Sequence, residues 1–293
     1  MLCLAGVAGP LTRGRRLNLA NLLALGAIAL WASLAALGVA LSHVPPFLLT
    51  GLSLLVGSLI ALPLSRFDLR QWRVPPATLA LGVYGLFGFH FLLFIALRHA
   101  PPVQANLVNY LWPLGIVVMA PLFLPGITLA TRHVVAALVG FAGAALAILG
   151  GSDAEATWAW GYLPALASAF IWASYSLLTR RVQAFPTAAI GSFAVVSGLL
   201  SLLCHAWLEP ATSLSTQDLL LIALLGLGPL GGAFFLWDAA LKRGDPRQIG
   251  VLSFLTPLLS TLTLLWVRGE TPSASVAVAA VMIIGAAVMA TRR

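Results

Sequence analysis

The chain has 293 residues, 60% of them hydrophobic and 8% charged, with sixteen Lys and Arg against eight Asp and Glu for a net charge of +8. At a mean hydropathy of +1.01 nearly every segment suits lipid and none is long or polar enough for a soluble domain, so the chain reads as an integral membrane protein. Its basic residues gather in loops and ends, as topology requires, and give no reason to expect nucleic acid as a partner.

A bilayer core about 30 Å thick takes about 20 apolar residues per helix. Ten such stretches follow one another, at 19–42, 46–64, 76–98, 102–123, 131–149, 158–179, 187–207, 217–241, 245–266 and 273–290. The lead-in to helix 1 carries Arg13, Arg15 and Arg16 after its apolar residues, the reverse of a secretory signal. Cys3 and Cys204 lie in separate regions and suggest no disulfide framework.

Helix 1 contains Trp31-Ala32-Ser33, a large ring beside small residues that permit close helix contact. Helix 3 carries His90, the one histidine clearly away from a helix end. An ionisable group at that depth is a functional candidate by default. Its imidazole can take up a proton or hydrogen-bond a carboxylate; the alternative is a neutral ring satisfied by a neighbouring helix. Tyr84, nearly two turns earlier at another azimuth, is a further candidate. Phe87, Phe91 and Phe94 read as packing, and Gly85 and Gly88 as places of close approach or bending.

Helix 4 concentrates the polar and aromatic residues. At about 100° per residue, Trp112, Asn109, Pro113, Asn106 and Tyr110 fall across an arc of roughly 160°. An uncompensated amide costs about 2 kcal/mol or more in an apolar setting, so Asn106 and Asn109 must face other helices or a wet cavity. They either join helices or touch a ligand, and the same choice stands for the flanking Tyr110 and Trp112. Pro113 removes a hydrogen bond to the Asn109 carbonyl, and Pro257 in helix 9 does the same to Ser253. The prolines either kink their helices or offer two carbonyls to a ligand's ammonium group.

Helix 6 repeats the earlier segment as Trp172-Ala173-Ser174, with Ser168, Trp172 and Tyr175 on one face, and Trp172 joins the site candidates. Helix 8 holds Gly226, Gly228, Gly231 and Gly232, then Asp238, the single carboxylate inside an apolar stretch. Lys242 follows one turn later, so an i to i+4 ion pair or snorkelling is expected in place of a proton carrier. No HExxH, GxSxG or paired midspan aspartates occur, which disfavours an intramembrane enzyme and implies no cofactor or metal.

The stretch Ala96 to Leu114 returns 144 positions later without a gap: Ala96, Leu97, Pro102, Gln104, Leu111, Pro113 and Leu114 match Ala240, Leu241, Pro246, Gln248, Leu255, Pro257 and Leu258. Gly126, Thr128 and Val135 to Ala137 likewise recur as Gly269, Thr271 and Val278 to Ala280. The chain therefore divides into two homologous halves, 1–150 and 151–293, each with five spans. An odd span count inverts the second half relative to the first. With a cytoplasmic amino terminus, fourteen of the sixteen basic residues fall on inner loops and ends, and only Arg98 and Arg268 lie outside. Both termini are then cytoplasmic. Most acids (Asp153, Glu155, Glu209, Asp218 and Glu270) fall in or beside outer loops, and Trp158, Trp160, Trp207, Trp266 and Trp72 form an aromatic belt.

The turn Gly269-Glu270-Thr271-Pro272, the Ala-Leu-(x)4-Pro-x-Gln opening of helices 4 and 9 and the two Trp-Ala-Ser segments resemble the pattern of the drug/metabolite transporter superfamily in its ten-helix EamA-type branch. The resemblance covers nearly the whole chain and implies an all-α membrane fold of two inverted five-helix repeats in a bacterial inner membrane. One departure is Gly126-Ile127, where the family commonly has Gly-Glu, and it is expected to affect a turn contact only. Asn109-Tyr110-Leu111-Trp112-Pro113, downstream of Pro101 to Asn106, is similar to the aromatic amino-acid exporter branch, although paralogues with other substrates can retain it.

Missing residues narrow the cargo. Phosphorylated substrates need Lys or Arg within the path, and none is predicted at midspan; cationic drugs call for a midspan glutamate, and helix 1 has none. The expectation is a secondary transporter, working as a monomer, whose midplane cavity lies between helices 1, 3, 4, 6, 8 and 9 and opens alternately to each side. By resemblance it exports aromatic and other apolar amino acids. His90, Asn109, Tyr110, Trp112, Trp172, Asn106 and Tyr84 are the candidate binding residues. The alternatives are an exporter of another neutral metabolite, a flippase for a lipid-linked compound and, from a different class, the intramembrane enzyme.

Overall fold

The computed structural model describes residues 13–149 and 158–291, with side chains from residue 19 onward. Cys3, Asp153, Glu155, Arg292, Arg293, the side chains of Arg13, Arg15 and Arg16, and the expected boundary between the halves at 150 and 151 lie outside the described residues.

The described residues are organised as membrane-length helices that agree with the hydropathy pattern to within a few residues. They are α1 (Leu19–Ala40), α2 (Pro46–Leu64), α3 (Pro76–His99), α4 (Pro102–Phe123), α5 (Thr131–Leu149), α6 (Tyr162–Leu178), α7 (Thr187–Leu208), α8 (Thr216–Arg243), α9 (Pro246–Arg268) and α10 (Ala274–Thr291). Nine of these are long and apolar enough to cross a membrane. The shorter α6, at seventeen residues, spans about 26 Å. It runs through the middle of the bundle, with Ala165, Ser168, Ala169 and Ile171 to Leu177 all buried, so protein and not lipid surrounds most of its length.

Prolines and glycines set the boundaries. Pro46, Pro76, Pro102 and Pro246 open their helices at a position where no backbone N–H is needed. Gly126 and Gly269, equivalent in the two halves, take φ of 77° and 69°, a left-handed turn that a side chain would strain.

The repeat seen in the sequence extends to the irregularities of the backbone. A π-turn interrupts α3 at Tyr84–Gly88 and another interrupts α8 at Gly228–Gly232, 144 residues on. The α4 ladder breaks between Asn109 and Trp112, and that of α9 between Leu252 and Leu255. Packing follows the same symmetry: α2 pairs with α7 and α5 with α10, while α1 lies on α8 and α9 as α6 lies on α3 and α4. Small residues let α3 close on α6, and α8 on α2. A Cβ on Gly85 would stand 2.3 Å from the Tyr175 ring, and one on Gly231 would stand 2.6 Å from the Gly57 Cα. Gly88 and Gly228 have room and serve no such contact.

Apolar side chains cover the outside of the bundle, Leu122, Leu220 and Val281 among the most exposed, as a lipid boundary requires. Trp158, Trp207 and Trp266 stand out at helix ends with 82%, 82% and 81% exposure, in keeping with an interfacial belt. Trp72 departs from that expectation, since its ring packs close to Gly191 at the start of α7.

Candidate functional site

A cavity of about 520 Å³ enters the bundle from the end where α1 and α3 finish and α2 and α4 begin. Ser42, Pro46 and Arg98 stand at its mouth, and Trp31, Trp112 and Trp172 at its floor. The volume falls in the range usual for small-molecule sites.

The floor is an aromatic cluster drawn from five helices, with its tryptophans on four of them. Trp31 of α1 stacks edge-on to Trp112 of α4 at 6.2 Å and Trp172 of α6 at 5.8 Å, and Trp237 of α8 lies beneath at 5.2 Å from Trp31 and 5.6 Å from Trp112. Phe89 and Phe234 pack on Trp172 at 5.4 and 5.6 Å. Trp237 is 1% exposed and donates its Nε1–H to Ser176 Oγ at 3.1 Å, which satisfies its polar edge and leaves the ring to close the floor.

Six of the seven residues expected from the sequence line this cavity: His90, Asn106, Asn109, Tyr110, Trp112 and Trp172. His90 is held by its Nδ1, which donates to the Leu86 carbonyl inside the α3 π-turn at 2.6 Å. A carbonyl can only accept, so that nitrogen carries the hydrogen, and whenever the ring is neutral Nε2 is left as an acceptor. Asn109 donates from Nδ2 to Ser168 Oγ at 2.7 Å and so also joins α4 to α6, while Ser168 Oγ donates to the Ala165 carbonyl.

Tyr84 does not belong to the lining. Its hydroxyl bonds Ser174 Oγ at 2.8 Å and ties α3 to α6, at a different azimuth of α3 from the cavity-lining His90. The expectation of two free carbonyls beside the prolines also needs correction, since the Ser253 carbonyl accepts from Thr256 N at 3.0 Å once the ladder has broken. Several contributions were missed, among them Phe94, expected only to pack, and the floor residue Trp237. Helix α2 lines the cavity through Leu49 and Thr50, and Arg98 brings a charge to a hollow expected to have none. The signal for Arg98 was its place as one of two basic residues outside the inner loops.

The opposite end is sealed. Asp238 Oδ2 accepts from Lys242 Nζ and Thr187 Oγ1, each at 2.6 Å, which makes the expected i to i+4 ion pair. Lys242 also donates to the Phe185 carbonyl at 2.9 Å and lies 3.9 Å above the Phe185 ring. Arg180 reaches the Gly244 carbonyl at 3.1 Å, and Arg247 joins Asp245 to the Thr128 carbonyl of the α4–α5 loop. Asp245 lies in the loop between α8 and α9. Burial pushes its carboxyl upward, but the Arg247 hydrogen bonds and charge outweigh burial and hold it below the usual range.

A bundle of apolar helices around a central cavity, open at one end and sealed at the other, defines a multi-pass membrane transporter. The chain matches the EamA-like transporter family over residues 18–149 and 159–292 and belongs to that family. Its members are transporters and not enzymes. The chain is 42% identical to the aromatic amino acid exporter YddG of Ancylobacter novellus over 93% of its own length and 96% of that protein. It is 31% identical to a probable amino-acid metabolite efflux pump of Salmonella typhimurium (85% and 87% covered) and 27% identical to the aromatic amino acid exporter YddG of Escherichia coli (83% and 86% covered). A solved crystal structure with 40% identity superposes with a TM-score of 0.88, covering 94% of this chain and 97% of that one.

Proposed function

We propose that the protein is a secondary transporter that exports aromatic and other apolar amino acids from the cytoplasm by alternating access, with the two five-helix halves rocking about the central cavity. The single observation that carries the reading is the tryptophan floor beside the His90, Asn106, Asn109 and Tyr110 wall. An aromatic or apolar side chain gains most by burial against Trp31, Trp112 and Trp172. The ammonium group then finds an acceptor in His90 Nε2, left free by the Nδ1–Leu86 bond. This assigns the imidazole to the ammonium and not to the carboxylate. With both termini cytoplasmic, the mouth between α1–α2 and α3–α4 faces outward, and the conformation is outward-open.

Efflux from cells or liposomes loaded with phenylalanine, tyrosine, tryptophan, methionine or threonine tests the reading. Export of the aromatic members is expected, and loss of it in His90→Leu, Tyr110→Ala or Trp112→Ala with membrane insertion intact. No export of any of the five removes the amino-acid assignment. Full activity in all three variants removes the pocket.

A further inference from the structure

Arg98 closes the last turn of α3 and lines the mouth, and it is the only permanently charged side chain among the described lining residues. One of its five N–H groups goes to Glu209 Oε1 at 3.0 Å, and its Cζ lies 5.8 Å from the Phe47 ring centroid. The side chain keeps 42% of its exposure. No other hydrogen bond from the guanidinium to protein exists among the described residues, so four N–H groups remain for a ligand.

Glu209 does not depend on Arg98. Its carboxylate is fully buried and also accepts from Phe47 N at 2.9 Å, Leu48 N at 3.2 Å and His205 Nδ1 at 3.0 Å. These donors come from the first turn of α2 and from α7, so the carboxylate is a fixed post against which the guanidinium is oriented. The other half gives a contrast. Lys242 stands 144 positions after Arg98, at the equivalent end of α8, and likewise lies over an aromatic ring, that of Phe185 in the loop just before α7. Its charge is consumed by Asp238 one turn earlier. The position one turn before Arg98 is Phe94, so α3 supplies no such partner.

We infer that the mouth holds a second, shallower subsite for the α-carboxylate of a departing amino acid, with Arg98 as the recognising group and Glu209 as the residue that positions it. This rests on the amino-acid reading above. Eight residues of helix separate Arg98 from His90, about 12 Å along the axis, whereas the ammonium and carboxylate of an amino acid share one carbon. The zwitterionic head therefore occupies the His90 station or the Arg98 station in turn. The cavity is polarised along the exit path: an acceptor for the ammonium is deep, and donors for the carboxylate stand at the rim. One guanidinium already facing a carboxylate suits a monoanionic head and not a phosphate, which needs more compensating charge.

Binding to protein in nanodiscs by titration calorimetry tests this with phenylalanine, 3-phenylpropionate, which lacks the ammonium, and phenethylamine, which lacks the carboxylate. Arg98→Gln is expected to weaken 3-phenylpropionate about tenfold or more, the usual effect of a lost charge-assisted pair, and to spare phenethylamine. Arg98→Lys should recover most of the binding. Equal weakening of both analogues in Arg98→Gln would make Arg98 a strut for Glu209 and overturn the subsite, as would unchanged 3-phenylpropionate binding. Should the unmodified protein bind 3-phenylpropionate through Arg98 but neither bind nor transport phenylalanine, the amino-acid reading fails while a carboxylate site stands. Absence of binding by all three ligands removes both.

Discussion

Lys242→Met removes the cation from the only ion pair that the described structure holds inside a helix of the sealed end. The Asp238 side chain is 2% exposed and that of Lys242 is 26% exposed. Asp238 Oδ1 already has no hydrogen-bond partner, and without Lys242 the carboxylate keeps only Thr187. Breaking a buried pair on one side costs about 3–5 kcal/mol; the partly exposed ammonium argues for the low end, about 3 kcal/mol, or roughly a hundredfold in the unfolding equilibrium. Adding Asp238→Asn to Lys242→Met removes the stranded charge while leaving an amide oxygen for Thr187, and should bring stability back to within about 1.5 kcal/mol of the parent. Reversible unfolding of the purified protein in mixed detergent micelles, followed by helix circular dichroism, reads these differences. A Lys242→Met variant within about 0.5 kcal/mol of the parent, or a double variant as unstable as the single one, would refute the argument. The double variant also decides a functional question, because it should still export. Lost export at restored stability would make Asp238 a carrier of protons or cations, against the ion-pair reading.

Gly85→Val would set branched carbon against the Tyr175 ring, where even a Cβ stands at 2.3 Å, and should cost about 1–3 kcal/mol by overpacking; an unchanged melting point would deny the close approach of α3 and α6. Tyr84→Phe loses only the bond to Ser174, so a cost of about 1 kcal/mol with export retained is expected, and loss of export at normal expression would return Tyr84 to the cavity. At Asp245 the folded pKa lies below the unfolded value, so its contribution to stability is present above about pH 4 and disappears as pH falls through the folded value. Melting curves of Asp245→Asn should therefore converge with those of the parent in acid; a gap that widens as pH falls would reverse the sign.

What the sequence reveals here follows from the two kinds of constraint it carries. Lipid demands long apolar runs, and duplication leaves an offset, so the helices, the two halves and the polar arc of α4 are legible in the sequence itself. The same offset even locates the second π-turn at Gly228 once the first is seen at Tyr84. What escaped depends on which faces meet. Trp237 closes the floor because α1 crosses onto α8 and brings Trp31 beside it, and neither residue signals the other in sequence. Tyr84 stood among the candidates despite its different azimuth because nothing in the sequence shows that Ser174 of α6 takes its hydroxyl. Arg98 was set aside as a topological charge, since a helix end in sequence does not show whether it borders lipid, loop or cavity.

The duplicated backbone and the unduplicated side chains divide the work between them. Both halves break their fourth helix at equivalent positions, yet the two breaks have different surroundings. On α4 the break presents Asn106, Asn109, Tyr110 and Trp112 to the cavity. On α9 the equivalents are Gly250, Ser253, Phe254 and Thr256. Phe254 is fully buried against α5, where a Cβ on Gly140 would stand 2.5 Å from its ring, and Gly250 lies against the Pro113 carbonyl, 3.1 Å from where its own Cβ would be. Only Thr256 of that set reaches the cavity. A site built by two equal walls would recognise a two-fold symmetric ligand, whereas an amino acid has one side chain, one ammonium and one carboxylate. On the proposed export of an amino acid by alternating access, the bulky polar wall belongs to one half and the packed, small-residue wall to the other, so that a nearly symmetric scaffold would open to either side while its cavity holds an asymmetric cargo.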